Sequence, residues 1–245
     1  MSIIKQLFNE TTISTEALVD FLNNVKSGTF LGDCTITREV ISANNVEAVY
    51  IVQEDPNNSG YYNKFSIHMA NNTSSPGFLK YEYLDSESTV IRTWNTTDTA
   101  QRKCFVHSIM YCDNGFILTD KISSSNYQVT ALVMTVGSDG NLCALVNTGG
   151  AGSTTSIIPS NGYAVVCSKT SSPVNMNPST SVLYGTNRTC LSPISVPQSE
   201  DPTLYLPYVW TATQTQLSAA GNTAVRINNN DYITNGMIYV KDSNE

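Results

Sequence analysis

Apolar residues recur at two different periods along this chain. Near the N-terminus Leu18, Phe21, Leu22 and Val25 stand at i, i+3, i+4 and i+7, which is one face of a helix. Ser14 is placed as the N-cap of a helix running from Thr15 through Lys26. Ile13 before that cap and Leu18 inside the helix have the spacing of a hydrophobic staple. Gly28 suits the C′ position, where the chain turns left-handed. A helix this short is marginal by itself. Its stripe must dock on the chain's own sheet or on a neighbouring subunit, which makes Leu18, Phe21, Leu22 and Val25 interface candidates.

After residue 30 the period shortens to two. Strands are predicted at Val46–Gln53, Lys64–Ala70, Phe78–Leu84, Ser88–Trp94, Lys103–Tyr111, Phe116–Thr119 and Tyr127–Val136, then at Leu142–Val146, Tyr163–Ser168, Thr203–Trp210, Thr223–Ile227 and Asp231–Lys241. These runs are rich in Val, Ile, Thr and Tyr, which fit a pleated, half-buried surface. Asn114-Gly115, Asp139-Gly140, Asn161-Gly162 and Asn235-Gly236 fall between or beside them. Such dipeptides tolerate positive φ and favour hairpins. No βαβ alternation occurs, so a doubly wound parallel sheet is not expected. The reading is a mainly β protein, an antiparallel, hairpin-rich sandwich or barrel with one N-terminal α-helix and a long proline-bearing arm.

Composition adds boundaries. Six of the nine prolines, Pro173, Pro178, Pro193, Pro197, Pro202 and Pro207, lie among Ser, Thr and Asn after residue 168. Proline lacks the ladder donor and disfavours central strands. Residues 1–28 are therefore an N-terminal segment with the helix, 29–168 a β domain, 169–202 an irregular arm, and 203–245 a closing meander. The 245 residues suffice for a core without staples. Charged residues make up only 13%, about half the usual share. Ser, Thr and Asn fill the space, with 81 of the 245 positions.

The net charge of −7 and pI near 4.8 disfavour a nucleic-acid binder, which relies on Lys and Arg. No run approaches the roughly 18 apolar residues of a membrane helix. The N-terminus has no apolar signal core, so synthesis in a cytosol is expected and the Asn-x-Ser/Thr triplets imply no glycans. Six cysteines (Cys34, Cys104, Cys112, Cys143, Cys167 and Cys190) are too sparse for a disulfide scaffold and read as buried free thiols.

Candidate chemistry is thin. Cys104, His107 and Cys112 invite a metal site, but the cysteines lie eight residues apart, roughly 26 Å along an extended strand. That is too far for one tetrahedral zinc, and His107 points to the other face. His68 reads as a packed strand histidine. The Gly-rich run Thr148–Thr155 lacks the lysine of a phosphate loop and reads as a hairpin connection. Glu82, Asp85 and Glu87 cluster beside a predicted turn and read as solvated acids. No catalytic residue, cofactor or metal is assigned, and a non-enzyme is expected.

The aromatics Tyr61, Tyr62, Tyr81, Tyr83, Trp94, Tyr205, Tyr208 and Trp210 are many for so little charge, and most read as cross-strand packing partners. Leu204–Trp210 is the exception. It is apolar at nearly every position and follows the arm, so it is expected to be covered on both faces, by its own domain or by another chain. Tyr205, Tyr208 and Trp210 thereby join the interface candidates.

An acidic chain rich in Asn, Ser, Thr and Tyr, with one N-terminal helix, hairpin-rich β-structure and a proline-bearing arm, resembles structural proteins of tailed-bacteriophage virions. These include head decoration, collar or neck, and tail or baseplate accessory proteins. The resemblance implies a non-enzymatic subunit made in the host cytoplasm and assembled into the virion. Its partners would be copies of itself and other virion proteins, with no nucleic acid and no membrane. The low charge fits, because interfaces are depleted in Lys, Glu and Asp. The alternative is a host-receptor or glycan-binding module on the particle surface, using exposed aromatics.

Overall fold

The computed structural model describes residues 3–7, 15–42, 46–70, 78–95, 106–120, 131–147, 163–167, 174–176, 191–196, 204–212, 223–234 and 238–242. Strand β1 (Ile4–Leu7) precedes helix α1 (Thr15–Val25). An N-terminal sheet follows as a five-strand meander: β2 (Thr35–Ser42), β3 (Val46–Glu54), β4 (Tyr62–Ala70), β5 (Phe78–Leu84) and β6 (Val90–Asn95). A central sheet comprises β7 (Val106–Cys112), β8 (Gly115–Asp120), β9 (Ala131–Val136), β10 (Leu142–Asn147), β11 (Tyr163–Val166) and β12 (Val174–Met176), with β1 added beside β7. The C-terminal sheet contains β13 (Leu191–Val196), β14 (Leu204–Ala212), β15 (Thr223–Ile227), β16 (Asn230–Thr234) and β17 (Ile238–Lys241), in the order β13-β14-β17-β16-β15. Every pairing is antiparallel. The mainly β, antiparallel, sandwich-like expectation is met, and no sheet closes into a barrel.

The sheets stack in three layers because the central strands are apolar on both faces. Ile109, Tyr111, Phe116, Leu118, Leu132, Met134 and Leu142 point one way and share a core with Val49, Ile51, Phe65 and Ile67 of the N-terminal sheet. Their alternates Met110, Cys112, Ile117, Val133, Cys143 and Leu145 point the other way, onto Leu206, Val209, Ile233, Ile238 and Val240 of the C-terminal sheet. Successive residues on a strand face opposite sides, so an unbroken apolar run requires a cover on each. Each buried large apolar side chain contributes roughly 1.5–3 kcal/mol.

Several turns carry their predicted chemistry and others do not. Gly28 (φ 73°) ends α1 and Gly140 (φ 81°) turns β9 into β10. Gly115 serves differently. It opens β8 opposite Cys112, and a Cβ there would meet the Met134 carbonyl oxygen at 2.6 Å and Val240 Cγ1 at 2.9 Å. Its role is close approach, to the backbone of the neighbouring β9 and to Val240 of the C-terminal sheet, rather than positive φ. Asn228 and Asn229, at φ 49° and 62°, make the two-residue turn between β15 and β16. The run predicted as one strand, Asp231–Lys241, is two paired strands.

The proline-bearing segment is not irregular throughout. Val174–Met176 pairs with β11, and Leu191–Val196 pairs with β14. Pro193 is tolerated because β13 is an edge strand, and its ladder slips at that point. Pro193 and Ile194 face Trp210 and Leu206, so residues 207–209 of β14 bulge, taking Pro207 out of the ladder to β13. The rest of 169–202 lies outside the described residues, as do Ile13, Ser14, Cys104, Cys190, Thr148–Thr155 and the Asn161-Gly162 and Asn235-Gly236 turns.

Candidate interaction surface

The helix stripe is not available to a neighbour. Leu18, Leu22 and Val25 are buried in the same core as Ile36, Val49 and Ile51. Phe21 is half-buried, edge-on to Tyr111 with ring centroids 6.2 Å apart. The reason is proximity: β2 and β3 follow directly and offer the nearest apolar face. The helix N-terminus is fastened to the same sheet. The Thr15 hydroxyl donates to Glu47, and Glu47 receives a two-pronged hydrogen bond from Arg38 (2.8 and 3.1 Å). Arg38 holds the Glu47 carboxyl below the usual range. Leu18, Leu22 and Val25 are thus covered by the protein's own sheet, and Phe21 is covered in part.

The second set divides. Tyr205 is 54% exposed, Tyr208 and Trp210 are half-buried, and Leu206 and Val209 point inward. The segment is thus not covered on both faces among the described residues, and the bulge at 207–209 lets residues three apart share the inner face. Trp210 packs edge-on to Tyr232 at 5.8 Å, and Tyr232 edge-on to Tyr239 at 6.3 Å. The other aromatics are packing partners as read. Tyr61 stacks on Tyr83 at 5.9 Å, and Phe65 lies 4.8 Å from Tyr81.

The exposed large apolar side chains that sequence reasoning missed are Val40, Ile41, Val90 and Ile91, between 42% and 60% exposed. They sit on β2 and β6, the two outer strands of the N-terminal sheet. Register places them at diagonal corners. Ser42 aligns with Val46 at the start of β3, while Val90 aligns through Leu84 and Tyr62 with Glu54 at its end. The only signal in the sequence was adjacent β-branched residues. Edge position, which makes them surface, is a pairing property.

Polar groups are largely occupied in holding layers together. Asn63 Nδ2 donates to Asn141 Oδ1 (2.7 Å), Asn63 Oδ1 accepts from the Tyr81 hydroxyl (2.9 Å), and Asn141 Nδ2 donates to Asp139 (3.0 Å). Gln53 donates to the Gly140 carbonyl (3.0 Å) and accepts from the Leu142 amide (2.7 Å). Tyr83 donates to Asp55 (2.6 Å). On the far face of the N-terminal sheet, Glu82 lies between Lys80 (2.5 Å) and Lys64 (3.5 Å), and the Lys64 ammonium sits 4.4 Å over the Tyr50 ring. Glu82 is therefore a buried, paired acid and not a solvated one. Burial pushes its carboxyl up, but the two ammonium groups prevail and hold it low. Asp85 does cap a turn, accepting from the Glu87 and Thr89 amides.

Ser66 and His68 share this face, both buried. Burial, with Lys80 beside it, lowers His68 to about 4, so it is neutral near pH 7. Among the described residues the Ser66 hydroxyl has no hydrogen-bond partner, so His68 does not engage it as a base engages a nucleophile. His107 is the unopposed residue where the β7–β8 ladder shifts register. Among the described residues, no group of three His, Cys, Asp or Glu could hold a metal ion, and no helix is long and apolar enough to cross a membrane. What fold and surface define together is a three-layer antiparallel β protein with polar latches inside and apolar corners outside. No family model, curated protein or solved structure matches this chain.

Proposed function

We propose that this protein is a non-enzymatic assembly subunit, of the kind found in tailed-bacteriophage particles, that associates with copies of itself through the free edges of its N-terminal sheet. The observation that carries the reading is the pair of apolar corners. Val40 and Ile41 on β2, and Val90 and Ile91 on β6, are exposed on strands that each have a single partner among the described strands. An edge strand presents a row of unpaired N–H and C=O groups to any strand that aligns with it. Soluble proteins commonly guard such edges with charged side chains, proline or bulges; β2 carries Arg38, Glu39 and a bulge at Val40–Ser42, and β6 carries Arg92, but Val40 and Ile41 at one strand end and Val90 and Ile91 at the other are uncharged. The internal use of Asn63, Gln53 and Asp55 supports a structural role.

Sedimentation of the full chain across a hundredfold concentration range tests it. Self-association is expected, and Val90→Lys with Ile91→Glu should abolish it while leaving the circular dichroism unchanged. A wild-type monomer whose melting point is independent of concentration would overturn the reading. A second reading, a receptor or glycan binder, rests on exposed Tyr205 beside Tyr208 and Trp210. It requires that Tyr205→Ala and Trp210→Ala abolish binding to host cells or glycans in a protein that still folds.

A further inference from the structure

We propose that Cys143 and Cys167 form a redox pair that closes to a cross-strand disulfide and ties β10 to β11. Ala144 lies opposite Val166 and Leu145 opposite Val165. Extending that register by one residue, past the end of β11 at Val166, sets Cys143 opposite Cys167. Both side chains belong to the core between the central and C-terminal sheets, so both point to the same face. Cys143 Sγ donates to the Asn141 carbonyl oxygen at 3.5 Å, and the neighbouring Cys167 thiol, together with burial, raises the Cys143 thiol well above its ordinary range. Directly opposed residues in an antiparallel pair have Cα atoms about 4.5–5.5 Å apart, inside the window of about 4.4–6.8 Å that a disulfide spans.

The pairing is selective among the described cysteines. Cys34 lies in the other core. Cys112 is on β7, separated from β10 by β8 and β9, and its thiol donates to the Gly115 and Lys241 carbonyls. Cys143 and Cys167 are reduced in the structure and buried.

The oxidant is a small-molecule or protein disulfide. Cys167 follows the last residue of β11 and is released when that strand end opens. Its thiolate attacks one sulfur of the oxidant, forming a mixed disulfide and expelling the first thiol. The Cys143 thiolate then attacks Cys167 Sγ, forming the internal bond and expelling the second. The protein loses two protons and two electrons, and the oxidant becomes two thiols. The bond closes the loop formed by residues 144–166 and fixes β11, whose other partner among the described strands is the three-residue β12. A chain made under reducing conditions would thus stiffen the outer edge of its central sheet on reaching an oxidising medium. This inference does not depend on the assembly reading.

The test is to refold the full chain from denaturant in a mixture of oxidised and reduced glutathione, and in parallel in excess reductant, then alkylate and map peptides by mass spectrometry. A peptide pair linked through Cys143 and Cys167, two hydrogens lighter than its reduced form, is expected. The melting temperature should rise by roughly 5–10 °C over the reduced protein, and Cys167→Ser should remove both link and rise. If Cys167→Ser fails to fold, the wild-type peptide map still decides. Alkylation of both thiols in oxidised, natively folded protein would overturn the proposal, as would a link joining either one to a different cysteine.

Discussion

Asn63 on β4 and Asn141 at the mouth of β10 bind each other across two sheets through a 2.7 Å hydrogen bond, with both side chains essentially excluded from water. Each has a further partner, buried Tyr81 for Asn63 and half-buried Asp139 for Asn141, so four polar side chains pair where the two sheets meet. A buried polar group left without a partner costs about 1–3 kcal/mol. The network therefore fixes how the sheets align, because another alignment would strand its members.

Asn141→Ala should destabilise the protein by about 2–3 kcal/mol, since Asn63 keeps its burial but loses an acceptor. Urea denaturation measures the loss. Asn63→Ala in the Asn141→Ala background should cost less than it does alone, giving a coupling of about 1–2 kcal/mol in the double-mutant cycle. Strict additivity would show that the contact does not hold the layers.

Leu22→Ala should cost about 2–5 kcal/mol through transfer and cavity terms, because Leu22 is wholly buried. The sedimentation coefficient of the folded variant should be unchanged, since the stripe faces the protein's own sheets. A shift in oligomeric state at unchanged stability would show that the helix contributes a contact surface.

Gly115→Ala places a methyl group 2.6 Å from the Met134 carbonyl oxygen, a backbone atom that cannot swing away. A loss of about 1–3 kcal/mol is expected from overpacking. Val240→Ala in the same chain relieves only the second contact and should not restore stability. Thermal unfolding of the single and double variants distinguishes the two.

Acid sensitivity should begin above the carboxylate range. His68 titrates near 4 in the folded chain against an ordinary value of 6.5, so between these values the unfolded state binds the extra proton. Stability is whole above pH 6.5 and falls as the pH drops towards 4, by roughly 2–3 kcal/mol. Glu47 and Glu82 are held low, and their contributions are lost only below about pH 4.5. His68→Gln should flatten the upper part of the profile, measured as urea midpoints from pH 7.5 to 4.5. An unchanged slope would mean that His68 is protonated in the native state.

Local pattern decided a good deal. The period of α1, the boundaries of β5 and β15, and the turn at Gly140 follow from side-chain spacing and backbone preference, which act over a few residues. Proline did mark an edge, since Pro193 lies on β13 and at a register shift. The interface candidates show the limit. Leu18 and Val40 look alike in a sequence, yet one is fully buried and the other 60% exposed. The difference is whether a distant strand covers them. The same holds for Glu82, which a turn prediction places in water and two lysines on β4 and β5 place in an ion cluster. Alternation told which residues point together. Only long-range pairing, which brings chain segments together across large sequence separations, decided what each face meets, because register and layer order depend on the whole set of buried surfaces at once.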